Sequence, residues 1–464
     1  MKKKAVLIGL CISLALTGTA CQVKESNLGN QVESLKTNEV SGDKVGNMSI
    51  ARIKQILQKI KDIDDADNGK MWGIPLATRI MVVDSDTRKV ITTEADTKGN
   101  FKKIDNNLYE GQLPDDIGLA NSTIEYGEKQ WAMVIYTESD DESDTLVTYV
   151  HEMFHNVQKE LGQDGDSTSA EDGSGYYDNS HMDEMDARIY LKLEWEALHK
   201  GLESSGKEKK KAIADALTFR LARRSEYNSA KDENIHEIQE GMAEYTGNKL
   251  VYSTDDLMNR ILHSHWKRFL NEKITNTLVR SFGYHSGVLY GLLLDECSSK
   301  WRRSIEYDSD LGEILREQYA INLSDLSLKE SEKRYNYEGI YQYEYKRNKE
   351  REKITSKYTE KFINGAILQL NLNHPQIVFN PNNIWALKGH GSVYVTAEIK
   401  DDFGKIDVKK GGLLLSSDWN KAVVSSENIQ ISGSNITGDG WILKLKAGYT
   451  LKEKKNGCYI IEKK

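Results

Sequence analysis

Two periodicities divide this chain, and the point where one gives way to the other sets what it can fold into. From Asp144 to about Arg303 apolar residues recur three and four positions apart, with breaks at 162–179 and 204–207, and helical, charged sequence continues to about Phe362. That spacing lines one face of a helix. After Phe362 alternation by two takes over, in stretches such as 393–399, 441–445 and 459–461 parted by Gly, Asn and Asp, and short strands joined by tight turns follow from it. Ahead of Asp144 the pattern is mixed. Ile53, Ile56, Leu57 and Ile60 form a helical stripe, and strand-like runs follow at 78–84 and 89–93, with a hairpin of 122–126 and 130–136 around Gly127. The expected fold class is α+β: an α/β lobe with a mixed sheet at 49–143, a helical lobe at 144–362 and a small all-β domain at 363–464. A length of 464 residues exceeds what one hydrophobic core usually organises, so more than one domain is expected on size alone.

The charge balance narrows the function. Acidic residues number 71 against 63 basic ones, for a net charge of −8. No cationic excess remains to neutralise phosphates, which argues against nucleic-acid binding as the main task. Lys2, Lys3 and Lys4 precede an apolar run from Ala5 to Leu16 and the small residues Gly18, Thr19 and Ala20. Residues 1–20 therefore read as a signal peptide, too short for a membrane span of about 20 apolar residues. The junction at Cys21 resembles a bacterial lipoprotein signal, although Gly18 stands where that family prefers Leu, Val or Ile. The resemblance implies export and lipidation of Cys21, with a membrane contact through the lipid anchor only. The alternative is plain cleavage after Ala20 and secretion. Residues 21–48 then read as a polar tether. Export would also allow Cys297 and Cys458 to pair.

The strongest chemical signal is His151-Glu152-Met153-Phe154-His155. A helix through Leu146, Val150, Phe154, Val157 and Leu161 buries one stripe. His151 and His155 each fall one residue past a stripe position, so both rings project from a neighbouring face. Two imidazoles four residues apart can each give a nitrogen at about 2.0–2.1 Å to one zinc ion, with the intervening Glu152 turned towards it. Acidic residues before the motif suit the helix start, and Gly162 suits its end.

With this motif the chain resembles the zincin metallopeptidases, of the type whose third ligand is a glutamate. The resemblance implies a sheet-bearing lobe, then the motif helix, then a helical lobe holding that ligand. A second segment, Gln239-Glu240-Gly241-Met242-Ala243-Glu244-Tyr245, is similar to the Asn-Glu-Gly-Phe-Ala segment of the zinc aminopeptidases, where the glutamate before Gly binds the metal. That match makes Glu240 the third ligand. The spacer between His155 and Glu240 is far longer here, and the aminopeptidase motif Gly-x-Met-Glu-Asn has no counterpart near 130–136. The resemblance thus points to a metallopeptidase and not to an aminopeptidase. The spacer holds other carboxylates and imidazoles with ligand chemistry, and His181, Asp183 and Glu194 remain alternatives to Glu240. The small residues Gly241 and Ala243 favour Glu240, because they allow close approach to the motif helix, whereas Glu194 is followed by Trp195.

The resemblance further implies a zinc cofactor, hydrolysis of a protein or peptide substrate, and Glu152 as general base. A donor to the oxyanion is expected from the helical lobe. Phe282-Gly283-Tyr284-His285-Ser286-Gly287 supplies two candidates, Tyr284 and His285. The hairpin strand 130–136 is expected to offer an edge for an extended peptide. The rival reading is a non-catalytic surface lipoprotein with a structural zinc site, whose β domain binds a glycan or a protein. Retention of Glu152 weighs against it, since a structural site needs no base and favours four protein ligands.

Overall fold

The computed structural model describes residues 44–76, 78–114, 117–139, 141–164, 179–265, 277–323, 327–379 and 384–464. The expected signal peptide, Cys21 and the tether up to residue 43 lie outside the described residues. The protein is α+β, with helices, several sheets and an all-β C-terminal region. It falls into two compact units. Among the described residues, one holds those up to Leu161 together with Thr246–Leu257, and the other holds those within Gly162–Tyr245 and Met258–Lys464. No helix among the described residues is long and apolar enough to cross a membrane.

In the first unit β1 (Lys44–Val45) and β2 (Met48–Ser49) pair antiparallel around Gly46, so the end of the expected tether is already structured. The helix α1 (Ile50–Asp67) starts where the Ser49 side chain accepts from the Arg52 amide, which satisfies one of the free N–H groups of a first turn. It buries Ile53, Ile56 and Ile60, the expected stripe. The strands β3 (Ile80–Val83), β4 (Lys89–Thr92), β5 (Lys102–Asp105), β6 (Leu108–Gln112), β7 (Ser122–Tyr126) and β8 (Lys129–Ile135) form one sheet. Its order is β5-β6-β4-β3-β8-β7, with β3 parallel to β8 and the other pairs antiparallel. All four residues of β3 are buried, because both faces of the sheet are covered there. Met81 and Val83 pack with Val90, Trp131 and Met133 in one apolar cluster, while Ile80 and Val82 are buried on the opposite face.

The strand expected at an edge is not there. β8 lies between β3 and β7 and is paired on both sides, and the outer strand is β7. Burial explains the inversion: Trp131, Ala132, Met133 and Val134 are all buried, whereas β7 is mostly half-exposed. An apolar strand gains more from an interior position than a mixed one. The turn between them is tight, with Gly127 and Glu128 both left-handed at φ 58° and 60°, as a two-residue hairpin requires.

The second unit is helical before it becomes all-β. Its helices include α3 (Met185–Glu203), α4 (Gly206–Tyr227) and α5 (Ala230–His236). A π-helical turn, Glu237–Gly241, leads from α5 directly into α6 (Met242–Val251). The division between the two units falls inside α6, after Tyr245. Beyond the short α7 (Thr254–Asn259), α8 (Phe282–Cys297) packs against the π-helical turn and against α3. Among the described residues, strands between Ile367 and Lys463 form a six-stranded and a seven-stranded sheet. Leu368, Leu370, Ile399, Ile406, Val424 and Trp441 are among the residues of their shared core. The stretches 441–445 and 459–461 are strands as read, whereas 393–399 is split between the strands Gly391–Tyr394 and Ala397–Asp401. Cys297 and Cys458 are both free thiols.

Candidate metal centre

The motif helix α2 (Glu142–Gln158) belongs to the first unit and packs against β7 and β8. The Asp141 carboxylate accepts from the Asp144 amide at 3.0 Å and caps it, with Glu142 and Asp144 adding negative charge at its N-terminus. Leu146, Val150, Phe154 and Val157 are buried as the stripe requires. The helix ends at Gln158, so Leu161 lies beyond it. The two imidazoles meet: His151 Nε2 and His155 Nε2 are 3.0 Å apart, with ring centroids at 4.8 Å and planes at 76°. Nitrogens sharing one tetrahedral ion at about 2.0–2.1 Å would stand about 3.4 Å apart, so the pair needs only a few tenths of an ångström to fit zinc.

A residue that the sequence reading missed orients this pair. His155 Nδ1 donates to Gln158 Oε1 at 2.6 Å. That bond places the ring proton on Nδ1 and leaves Nε2 with its lone pair facing His151, the arrangement a metal-binding histidine needs. Gln158 sits three residues past His155, one helical turn on, and that spacing was the available signal. Glu152 is fully buried at 0% exposure. A carboxylate removed from water is costly to keep, and buried acids of this kind concentrate at working sites.

The end of α6 lies on the motif helix within this same unit. The Trp72 indole donates to Thr246 Oγ1 at 3.0 Å, and the Tyr252 hydroxyl donates to Asp144 Oδ1 at 3.3 Å. A Cβ on Gly247 would stand 2.8 Å from the Val147 carbonyl oxygen, so only glycine permits this approach.

In the second unit Glu240 is buried at 4% exposure on the π-helical turn and accepts from the Tyr284 hydroxyl at 2.7 Å. Such turns, with one extra residue inserted, cluster at functional sites. Tyr284 is half-buried in the first turn of α8, so the structure brings it to Glu240. Gly241 contributes differently from the expectation, because it lies against α8: a Cβ there would be 2.6 Å from the Gly283 carbonyl oxygen. On Gly287 the same atom would come within 2.4 Å of the Gly241 Cα. The two backbones touch, which fixes the distance between the Glu240 turn and the Tyr284 helix. Beneath this crossing His236 donates through Nε2 to the Arg280 carbonyl at 2.7 Å, and burial pushes its pKa down. Gly287→Ala is expected to force the backbones apart at a cost of about 1–3 kcal/mol. A chemical-denaturation midpoint equal to the wild type would show the crossing to be looser than described.

His285, the neighbour of Tyr284, points elsewhere. A one-residue step on a helix rotates a side chain by about 100°, and His285 is buried against α3. Its Nε2 lies 3.1 Å from His199 Nε2, and its ring packs edge-on to Trp195. The alternative ligands are also committed. His181 Nε2 meets Glu233 at 2.8 Å, and Asp183 is bound by Arg347 at 2.9 Å. Glu194 is held in the same way. It accepts from Arg220 at 3.2 Å, from Arg223 and from the Tyr290 hydroxyl at 2.6 Å.

No protein-family model matches this chain, and neither a curated protein nor a solved structure matches it.

Proposed function

We propose that the chain is a zinc-dependent peptidase in which His151, His155 and Glu240 hold one ion and Glu152 is the general base, on a zincin-like catalytic unit. The observation that carries this reading is the imidazole pair of α2, its nitrogens 3.0 Å apart and one ring set by Gln158, beside a wholly buried glutamate. Glu240 joins the set through the chain itself. It stands on the helical run that continues into Gly247, and Gly247 touches the motif helix at Val147. The sequence likeness around Glu240-Gly241 supports the same choice, and the rival carboxylates are held by arginines.

Zinc held by these residues would supply Lewis acidity and would bring the pKa of a bound water towards about 7. Glu152 accepts a proton as water attacks the peptide carbonyl and returns it to the leaving amine. The Tyr284 hydroxyl donates to Glu240 at rest and is the candidate donor to the developing oxyanion. His285 is too deep in the helical packing for that role. Among the described residues β7 is an outer strand of the sheet, and it is the edge on which an extended peptide would add beside α2, in place of the interior β8.

Elemental analysis of the purified protein, combined with digestion of casein or a peptide library, tests the proposal. About one zinc per chain and cleavage that a chelator abolishes are expected. Zinc without cleavage of any peptide would favour a structural site in a binding lipoprotein, and absence of zinc would remove both readings.

A further inference from the structure

The helical lobe buries an unusual amount of charge close, in sequence, to Glu240. Glu237, three residues before Glu240 on the same π-helical turn, is fully buried. Arg220 of α4 grips it with both ends of its guanidinium, Nη1 to Oε1 at 2.8 Å and Nη2 to Oε2 at 2.5 Å. The same guanidinium stacks over the Tyr290 ring of α8, 4.9 Å from its centroid, and bonds Glu194 at 3.2 Å and Asp310 at 3.1 Å. Burial pushes the Glu237 pKa up, against the pull of Arg220 and Arg224.

Stability alone gives no reason to keep this arrangement, because well-packed apolar residues usually replace a buried ion pair without loss. Geometry gives one. The π-helical turn and α8 are tied at two places: by Tyr284 and Glu240, and by Arg220, which holds Glu237 on one element and Tyr290 on the other. Glycine-on-glycine contact at Gly241 and Gly287 joins the same two elements and lacks side chains that could lock rotation or sliding. A bidentate fork resists both motions, since a displacement breaks two parallel bonds at once.

We infer that Arg220 and Glu237 are a positioning pair, which holds the Glu240 turn against α8 so that the Tyr284 hydroxyl meets the Glu240 carboxylate. The inference rests on Glu240 being a zinc ligand. It predicts that loss of the pair weakens zinc binding by about 10- to 100-fold, the usual effect of removing the group that orients a ligand.

The test is a double-mutant cycle on the full chain, read as zinc affinity by chelator competition. Arg220→Met with Glu237→Met removes both charges together, and Glu194 and Asp310 keep Arg223 and Arg224 as partners. In the parent, Tyr284→Phe should weaken zinc binding measurably. In the paired variant the same substitution should cost almost nothing, because Tyr284 no longer meets Glu240. Glu237→Gln, which keeps the shape and loses the charge, serves if the paired variant fails to fold. Arg334→Met, which breaks the ion pair with Asp215, lowers stability and should leave zinc affinity unchanged. Equal affinity in parent and paired variant, or a Tyr284→Phe penalty that is the same in both, overturns the inference while leaving the zinc site intact. A parent that binds no zinc removes the functional reading first and this one with it.

Discussion

Glu152→Gln is expected to lower peptide hydrolysis by about a hundredfold or more while zinc stays near one per chain. The substitution keeps the volume of a residue that is 0% exposed and removes only the proton-accepting oxygen. Its neighbours His151 and His155 are placed four apart by the helix, and the His155 ring is held by Gln158, so zinc is expected to stay. Folding should not suffer, since a neutral amide is cheaper to bury than a carboxylate. A raised melting temperature with lost activity would be the signature of a base kept at the expense of stability. Loss of zinc in the same variant would instead make Glu152 a ligand or a prop, and unchanged hydrolysis would place the chemistry elsewhere in the chain.

Much of this architecture was legible because it follows from repeating patterns. The α1 stripe of Ile53, Ile56 and Ile60, the hairpin turn at Gly127 and the alternation that builds the C-terminal sheets all read directly as buried faces. Other strands did not, β5 and β6 among them. β5 and β6 carry Lys102, Lys103, Glu110 and Gln112 at the rim of the sheet, where neither face is fully covered, and so no alternation marks them. Strand order was illegible for a different reason. Local pattern identifies a hairpin but not which of its members a distant strand, here β3, will join.

The site divides along the same line. His151, Glu152 and His155 are a local motif, and their spacing alone brought the two rings together. Glu240 was found by likeness, and its partnership with Tyr284 spans a large sequence separation that no periodicity reports. Tyr284 and His285 looked equivalent in the sequence because they are adjacent. The rotation between consecutive helical residues sends one to Glu240 and the other to His199. The arginines of α4 were the least legible. Nothing in the sequence marks Arg220 and Arg223 as interior, yet both are buried, since their partners Glu194, Glu233 and Glu237 come from other helices.

Those partners make the choice of third ligand testable in two currencies at once. Glu240→Ala should release zinc or weaken its binding severely, because two imidazoles alone leave the ion short of a ligand. Its effect on stability should be modest, as the Tyr284 hydroxyl, half-buried, can turn to water. Glu194→Ala should do the reverse. It leaves Arg223, which is 0% exposed, with Glu233 as its remaining carboxylate partner and takes an acceptor from the Tyr290 hydroxyl. Losing one partner in a buried network costs about 1–3 kcal/mol, yet zinc should remain bound. His181→Ala and Asp183→Ala should follow Glu194→Ala, since each breaks a bond to Glu233 or Arg347 and not a metal contact. Zinc stoichiometry and a denaturation midpoint on each purified variant, at equal metal exposure, separate the two columns of results. Full zinc in Glu240→Ala with none in a folded Glu194→Ala would transfer the third ligand to Glu194 and require the Arg220 and Arg223 contacts to open when the metal binds.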